Sequence, residues 1–259
     1  MQRVLFHSTI FGPIRSRRLG LSLGINLSPD DGKICSFDCL YCEAGFNAQG
    51  AGTTGFPPVE KVLGDLEKKL KEMKNEGEMP DVITFSGNGE PTLHPQFPEI
   101  IDGVIALRDK YSPKSAISVL TNSTTLGKPE VVEALQKIEN PILKLDSAVD
   151  STIRLLDRPN SPEFTFESVK EKIKAFGPKA IIQIMLLRGE SEGERIDNGS
   201  EKEVEALISA LKEIEPKSVM LYSIDRPTPH KNLQRIEKEE LQKIAEKMTE
   251  AGIKNVTTA

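Results

Sequence analysis

The sequence predicts an α/β fold, a partial (β/α)6 TIM-like barrel on a mostly parallel sheet with a short N-terminal extension. Three observations carry this. Short apolar or β-branched runs alternate six times with longer amphipathic stretches. The runs are apolar almost throughout, as strands covered by helices on both faces are. No low-complexity linker interrupts the ladder, so the chain of 259 residues reads as one domain over 1–259 with residues 1–20 as the extension. Six units fit an incomplete barrel, since closure takes eight; a doubly wound sheet is the alternative, because strand order is not readable from one sequence.

The expected strands cover residues 23–27, 82–86, 117–121, 142–146, 181–187 and 219–222. Between the first two, Val59, Val62, Leu63, Leu66, Leu70 and Met73 recur at three- and four-residue spacing and lay one apolar stripe along a helix. A helix after the fourth strand carries Phe166, Val169, Ile173 and Phe176, with Thr165 as its N-cap and Gly177-Pro178 ending it. The next starts at Ser200 with Glu203 three residues on, a capping box, and continues through Val204, Leu207, Ile208, Leu211 and Ile214. The last covers about 237–250 with Leu241, Ile244 and Met248 inward, and a short run at 253–256 closes the chain. In either architecture, functional groups belong at the carboxyl ends of the strands.

With 37% hydrophobic and 28% charged residues, the composition is that of an ordinary globular protein. No apolar run approaches the roughly 20 residues that span a bilayer, and the N-terminus lacks the apolar stretch of a signal peptide, so a cytoplasmic location without membrane partners is expected. The net charge of −5 argues weakly against a surface devoted to nucleic acid. Arg15, Arg17 and Arg18 form a local basic cluster, read as a solvated or ion-paired start to a strand rather than a polyanion site.

All three cysteines, Cys35, Cys39 and Cys42, fall in one short loop after the first strand. A secreted disulfide framework uses an even number spread along the chain, so this cluster points to an intracellular metal or redox site. Three thiolates can hold three irons of a cubane and leave the fourth open. Phe37 and Tyr41, inside the same loop, would shield such a cluster from water. The bland reading is three buried small hydrophobes, common for a single Cys but not for a triplet in a loop. Structural zinc takes four ligands, and the three histidines, His7, His94 and His230, lie far off in sequence.

The C-x3-C-x2-C spacing with an aromatic residue before the last Cys, placed after the first strand of a βα ladder, resembles the signature of the radical S-adenosylmethionine (SAM) superfamily, and the likeness runs through nearly the whole chain. The resemblance implies a [4Fe-4S] cluster on Cys35, Cys39 and Cys42 whose open iron SAM chelates. It further implies one-electron cleavage of SAM to a 5'-deoxyadenosyl radical that takes hydrogen from a substrate. A low-potential donor such as flavodoxin or ferredoxin follows as a partner; the substrate, a small molecule or a peptide, is not legible. An iron-sulfur and SAM-binding protein without turnover, serving as a sensor or assembly component, is a second reading, and an activase placing a radical on a partner protein is a third.

Further residues extend the likeness. Gly87, Asn88, Gly89 and Glu90 follow the second strand and are similar to the superfamily's Gly-Gly-Glu segment, which contacts the SAM amino group. Asn88 stands where the commoner pattern has Gly and is expected to adopt the required turn geometry, being the best non-glycine choice for it. Asn122, at the end of the third strand, is expected to touch SAM; Asp146 and Ser147, at the end of the fourth, are read equally as ligand contacts or as caps. Gln183 interrupts the apolar fifth strand and needs a partner, SAM or a neighbouring strand. Tyr222 opens a Pro-stiffened loop through Asp225, Arg226 and His230, read as substrate contact or routine turn. Arg154 and Arg158 suit the SAM carboxylate, an acidic substrate or surface pairing, and His94 suits a proton donor or a cap. Ser16-Arg17-Arg18-Leu19-Gly20 and Asp225-Arg226-Pro227 are also similar to a group related to archaeal wyosine-base synthases, although extra cysteines for a second cluster are absent from this sequence.

Overall fold

A computed structural model describes residues 3–16 and 18–259. Arg17 of the basic cluster lies outside them. The elements are β1 (Ile10–Ser16), β2 (Gly20–Ile25), α1 (Val59–Glu76), β3 (Val82–Phe85), α2 (Phe97–Tyr111), β4 (Ala116–Thr121), α3 (Pro129–Gln136), β5 (Asn140–Lys144), α4 (Asp150–Leu156), α5 (Phe166–Phe176), β6 (Ile181–Met185), β7 (Leu187–Ser191), β8 (Glu194–Asp197), α6 (Glu201–Ile214), β9 (Ser218–Tyr222), β10 (Leu233–Arg235), α7 (Lys238–Glu250) and β11 (Val256–Thr258).

One eight-stranded sheet has the order β1-β2-β3-β4-β5-β6-β9-β11. Its strands are parallel except β1, which pairs antiparallel with β2. A doubly wound sheet reverses its order at a switch point, whereas this order follows the chain without reversal. The sheet therefore curls as a half-barrel with edges at β1 and β11, and every parallel strand presents its carboxyl end to the same mouth. The six expected strands are β2, β3, β4, β5, β6 and β9, with boundaries moved by a few residues.

Three features depart from expectation. The segment read as an extension supplies β1, which adds an antiparallel edge to the sheet. The apolar run at 181–187 divides: β6 stays in the main sheet, and β7 joins β8 and β10 in a separate three-stranded sheet. Leu186 lies between them, its N–H donating to Tyr222 O at 2.8 Å. The run at 253–256 leads into β11, a further parallel strand beside β9.

Helix burial follows the sequence pattern. α1 buries Val59, Val62, Leu66, Leu70 and Met73 against the sheet, with Leu63 half-buried; each fully buried side chain of this size contributes about 1.5–3 kcal/mol. Thr165 caps α5 as expected, its hydroxyl accepting from the Ser168 N–H at 3.2 Å. The capping box at α6 does not form. Ser200 is the N-cap but makes no side-chain cap bond, and the Glu203 carboxylate accepts instead from the hydroxyls of Ser147 and Thr152, each at 2.6 Å. Two charge-assisted bonds to hydroxyls outweigh one to a backbone N–H. Among the described residues no helix is long and apolar enough to cross a membrane.

Candidate active site

The carboxyl ends of the strands open on a cavity of about 610 Å³ lined by all three cysteines together with Phe37, Tyr41, Gly87, Gly89, Glu90, Asn122, Gln183 and Tyr222. The cysteine loop is held by backbone bonds at both flanks. On one side Asp38 N–H donates to Asp157 O at 3.0 Å and Leu40 N–H to Leu156 O at 2.9 Å, tying the loop to the end of α4. On the other side Ile34 bridges Gly89, and Glu90 N–H donates to Ile34 O at 3.0 Å. A Cβ at Gly89 would lie 2.0 Å from Ile34 O, so only glycine permits the approach that sets the acidic turn against the cysteine loop.

Glu90 is buried at the junction. Its carboxylate accepts from the Thr92 N–H at 3.1 Å and the Asn122 N–H at 2.7 Å, joining the β3 turn to the end of β4. Burial raises its pKa, and the bonds from Asn122 and Thr92 counter part of that rise. Asn122 in turn donates to Ser36 Oγ at 2.9 Å and to Cys35 Sγ at 3.7 Å. Cys35, Glu90 and Asn122, far apart in the chain, are thus neighbours in one hydrogen-bonded cluster.

The three cysteines are free thiols. Burial, then the Glu90 charge, pushes the Cys35 thiol up to about 12; burial, then Asp157, raises Cys39 as well. Lys33, which sequence reasoning passed over, supplies the opposing charge. Its side chain is 1% exposed, and Nζ donates to Gly45 O at 2.8 Å and lies 3.5 Å from Asp38 Oδ1. Burial alone would lower its pKa, but the field of Cys42, Cys35 and Cys39 outweighs burial and raises it. Three thiols line one cavity wall with the buried Lys33 ammonium close by, a donor set able to take one iron each.

The Tyr41 hydroxyl bonds the Asp146 carboxylate and lies 2.9 Å from Asp157 Oδ1. Asp146 also accepts from the Met185 N–H at 2.8 Å and pairs with Lys144 Nζ at 3.0 Å. Lys144 is the second residue that sequence reasoning missed. Burial opposes its charge, yet the fields of Asp146, Tyr222, Asp157 and Cys39 together outweigh burial and raise its pKa. Lys144 Nζ donates to the Tyr222 hydroxyl at 3.2 Å, and that hydroxyl donates to Gln183 Oε1 at 3.3 Å, so the partner Gln183 requires is its neighbour across β6 and β9. Asp157, buried beside Asp146, has its pKa raised by burial and then by that neighbouring charge.

Several expected site residues stand elsewhere. Asn88 is fully buried behind the cavity wall. It has no left-handed backbone; Gly87 at φ +126° carries that conformation, because Asn88 is engaged by its side chain instead. Ser147 Oγ accepts from the Val149 N–H at 2.9 Å in the turn ahead of α4 and donates to Glu203, and Asp146 braces Tyr41 and Lys144 without lining the cavity. Arg154 bonds the Pro162 and Phe164 carbonyls at 2.9 and 2.6 Å. Arg158 lies 4.0 Å from Asp38, and Arg226 pairs with Glu43 at 2.8 Å on the cavity rim. The Gln96 N–H donates to His94 Nδ1 at 3.1 Å, so Nε2 carries the proton and donates to Pro57 O at 2.9 Å; the ring fixes the start of α2.

The model of the radical SAM superfamily matches residues 31–198, which contain the cysteine loop, the acidic turn and the strands from β3 through β8. The chain belongs to the radical SAM superfamily. It is 32% identical over 87% of its length to a UPF0026 protein of Synechocystis sp., 78% of which is covered. It is 29% identical over 94% of its length to a protein named GTPase Obg from Brachyspira hyodysenteriae, and spans only 34% of that protein. Among solved structures, a radical SAM methyltransferase from Sphaerobacter thermophilus shares the fold at TM-score 0.66 and 15% identity, over 92% of this chain and 65% of that one. TYW1 with a lysine-pyruvate adduct bound gives TM-score 0.61 and 16% identity over 88% and 73%. At these identities the structures establish the half-barrel fold of this radical SAM chain.

Proposed function

We propose that this chain is an enzyme in which Cys35, Cys39 and Cys42 hold a [4Fe-4S] cluster and SAM occupies the position the three thiolates leave open. When bound, the cluster supplies the electron that cleaves SAM to a 5'-deoxyadenosyl radical able to abstract hydrogen from a substrate. The observation that carries the reading is the joining of Cys35, Glu90 and Asn122 in one hydrogen-bonded cluster on a single cavity.

Each residue then has a task. Glu90 faces the cavity as a buried carboxylate suited to an ammonium such as that of SAM, which would replace the water it has lost. Asn122 orients Cys35 and Ser36 from β4. Lys33 offsets the charge that three thiolates bring to a dry site. Phe37 and Tyr41 pack in an apolar cluster with Leu156, Met185 and Tyr222, which keeps bulk water from the cysteine wall. A low-potential protein such as flavodoxin or ferredoxin would deliver the electron.

The test is anaerobic reconstitution followed by dithionite reduction in the presence of SAM. Release of 5'-deoxyadenosine, abolished in Cys42→Ala, is the expected result. Full iron loading without that product would leave a cluster- and SAM-binding protein with no turnover, and the enzyme reading would fail.

A further inference from the structure

Arg18 sits in the turn between β1 and β2, at one end of the main sheet. Its guanidinium carbon nevertheless lies 4.2 Å from the ring centroid of Tyr222 on β9, near the other end of that sheet. The β1–β2 hairpin therefore reaches across the open side of the half-barrel, and Arg18 becomes part of the cavity wall. The Tyr222 ring beneath it is fixed by Lys144 and Gln183 through its hydroxyl, at 3.2 and 3.3 Å.

Of the other cations lining this cavity, Arg15 is exposed to solvent, and Lys144 and Arg226 already have anions. Lys144 is matched by Asp146 at 3.0 Å and Arg226 by Glu43 at 2.8 Å. Arg18 differs: its Nη1 is shut off from solvent and makes no hydrogen bond to any described residue. A guanidinium stacked on an aromatic face spends its plane on the ring and keeps its edge donors for an acceptor, in the fork geometry that fits a carboxylate or a phosphate. Buried N–H donors are ordinarily satisfied, and an exception facing a cavity marks a place for a ligand.

We propose that Arg18 receives a carboxylate or phosphate group of the substrate, so that this cavity takes a small anionic molecule held between the β1–β2 hairpin and the cysteine wall. The assignment rests on reading the cavity as a substrate chamber. It differs from the sequence expectation of a merely solvated basic cluster, because the hairpin turns Arg18 inward.

The test uses the full chain without cluster, labelled with nitrogen-15, and follows its arginine Nε–Hε resonances by nuclear magnetic resonance. The resonance missing from Arg18→Met is that of Arg18. Titration with inorganic phosphate, and separately with acetate, is expected to move it saturably, with at least tenfold weaker binding of the same anion to Arg18→Lys, which keeps the charge and loses the fork. A resonance unmoved by both anions, or equal binding in Arg18→Lys, would overturn the proposal. No arm requires the cluster, so failure here is distinguishable from failure of the cysteine assignment.

Discussion

Replacing Asn88 by glycine would bring the turn closer to the superfamily's commoner Gly-Gly-Glu pattern, yet the structure predicts a damaged protein. The Asn88 amide donates from Nδ2 to Phe6 O and Pro29 O, both at 2.9 Å, and accepts at Oδ1 from the Phe6 N–H at 2.8 Å. These bonds fasten the N-terminal segment and the loop after β2 to the turn after β3. A buried hydrogen bond of this kind is worth about 1 kcal/mol net, and a donor or acceptor left unsatisfied adds to the loss. The three together place the cost of Asn88→Gly or Asn88→Ala near 3 kcal/mol. For a chain of this size that corresponds to a fall in melting temperature of about 6–12 °C. Asn88→Asp should be worse than Ala, because an oxygen would then face the Phe6 and Pro29 carbonyls where Nδ2 now donates. Urea unfolding monitored by circular dichroism measures all three variants. A loss below about 1 kcal/mol in Asn88→Gly would refute the claim that the amide is a tether, and would return Asn88 to the turn-forming role that sequence alone suggests.

Three further outcomes are expected. Lys144→Met leaves the buried Asp146 carboxylate without its cation and should destabilise by about 3–5 kcal/mol by urea unfolding; a change under 1 kcal/mol would show the pair to be dispensable. Lys33→Met should give a reconstituted cluster that reduces at a more negative potential in a titration followed by electron paramagnetic resonance, with Lys33→Arg near the wild type; an unmoved potential at full iron loading would remove Lys33 from the electrostatics of the site. His94 has its pKa lowered by burial, against the opposing bond to Pro57 O. Its contribution to stability is therefore complete above the unfolded value of about 6.5 and is lost as pH falls from there toward the folded pKa. Urea midpoints should drop more between pH 7.5 and 5.5 for wild type than for His94→Gln, and parallel drops would contradict a lowered His94 pKa in the fold.

Much of the fold was legible because parallel strands are apolar on both faces and helices carry one stripe. Residues Val82, Ile83 and Phe85, all buried in β3, could be read as a covered strand from their neighbours alone. The division of 181–187 between β6 and β7 could not, since a continuous apolar run looks the same whether its strand stays in one sheet or passes to another. The failed capping box shows the same limit: Ser200 and Glu203 have the right spacing, but Ser147 and Thr152 compete from another part of the chain. At the site, the cysteine loop, Glu90 and Asn122 were recognisable as motifs at strand ends. Lys33 and Lys144 were not, because a lysine reads as a surface residue until the fold surrounds it with thiols or sets it beside Asp146. Arg18 was misread for a related reason, since only the path of the β1–β2 hairpin shows that its side chain turns inward.

The most direct measurement is electron paramagnetic resonance of the anaerobically reconstituted, dithionite-reduced chain, recorded with and without SAM alongside iron and sulfide analysis. About four irons and four sulfides per chain, with a spectrum that changes when SAM is added, is the result expected of three thiolates and one exchangeable position. A spectrum indifferent to SAM at full loading, or the same loading in a triple Cys35→Ala, Cys39→Ala, Cys42→Ala variant, would contradict it.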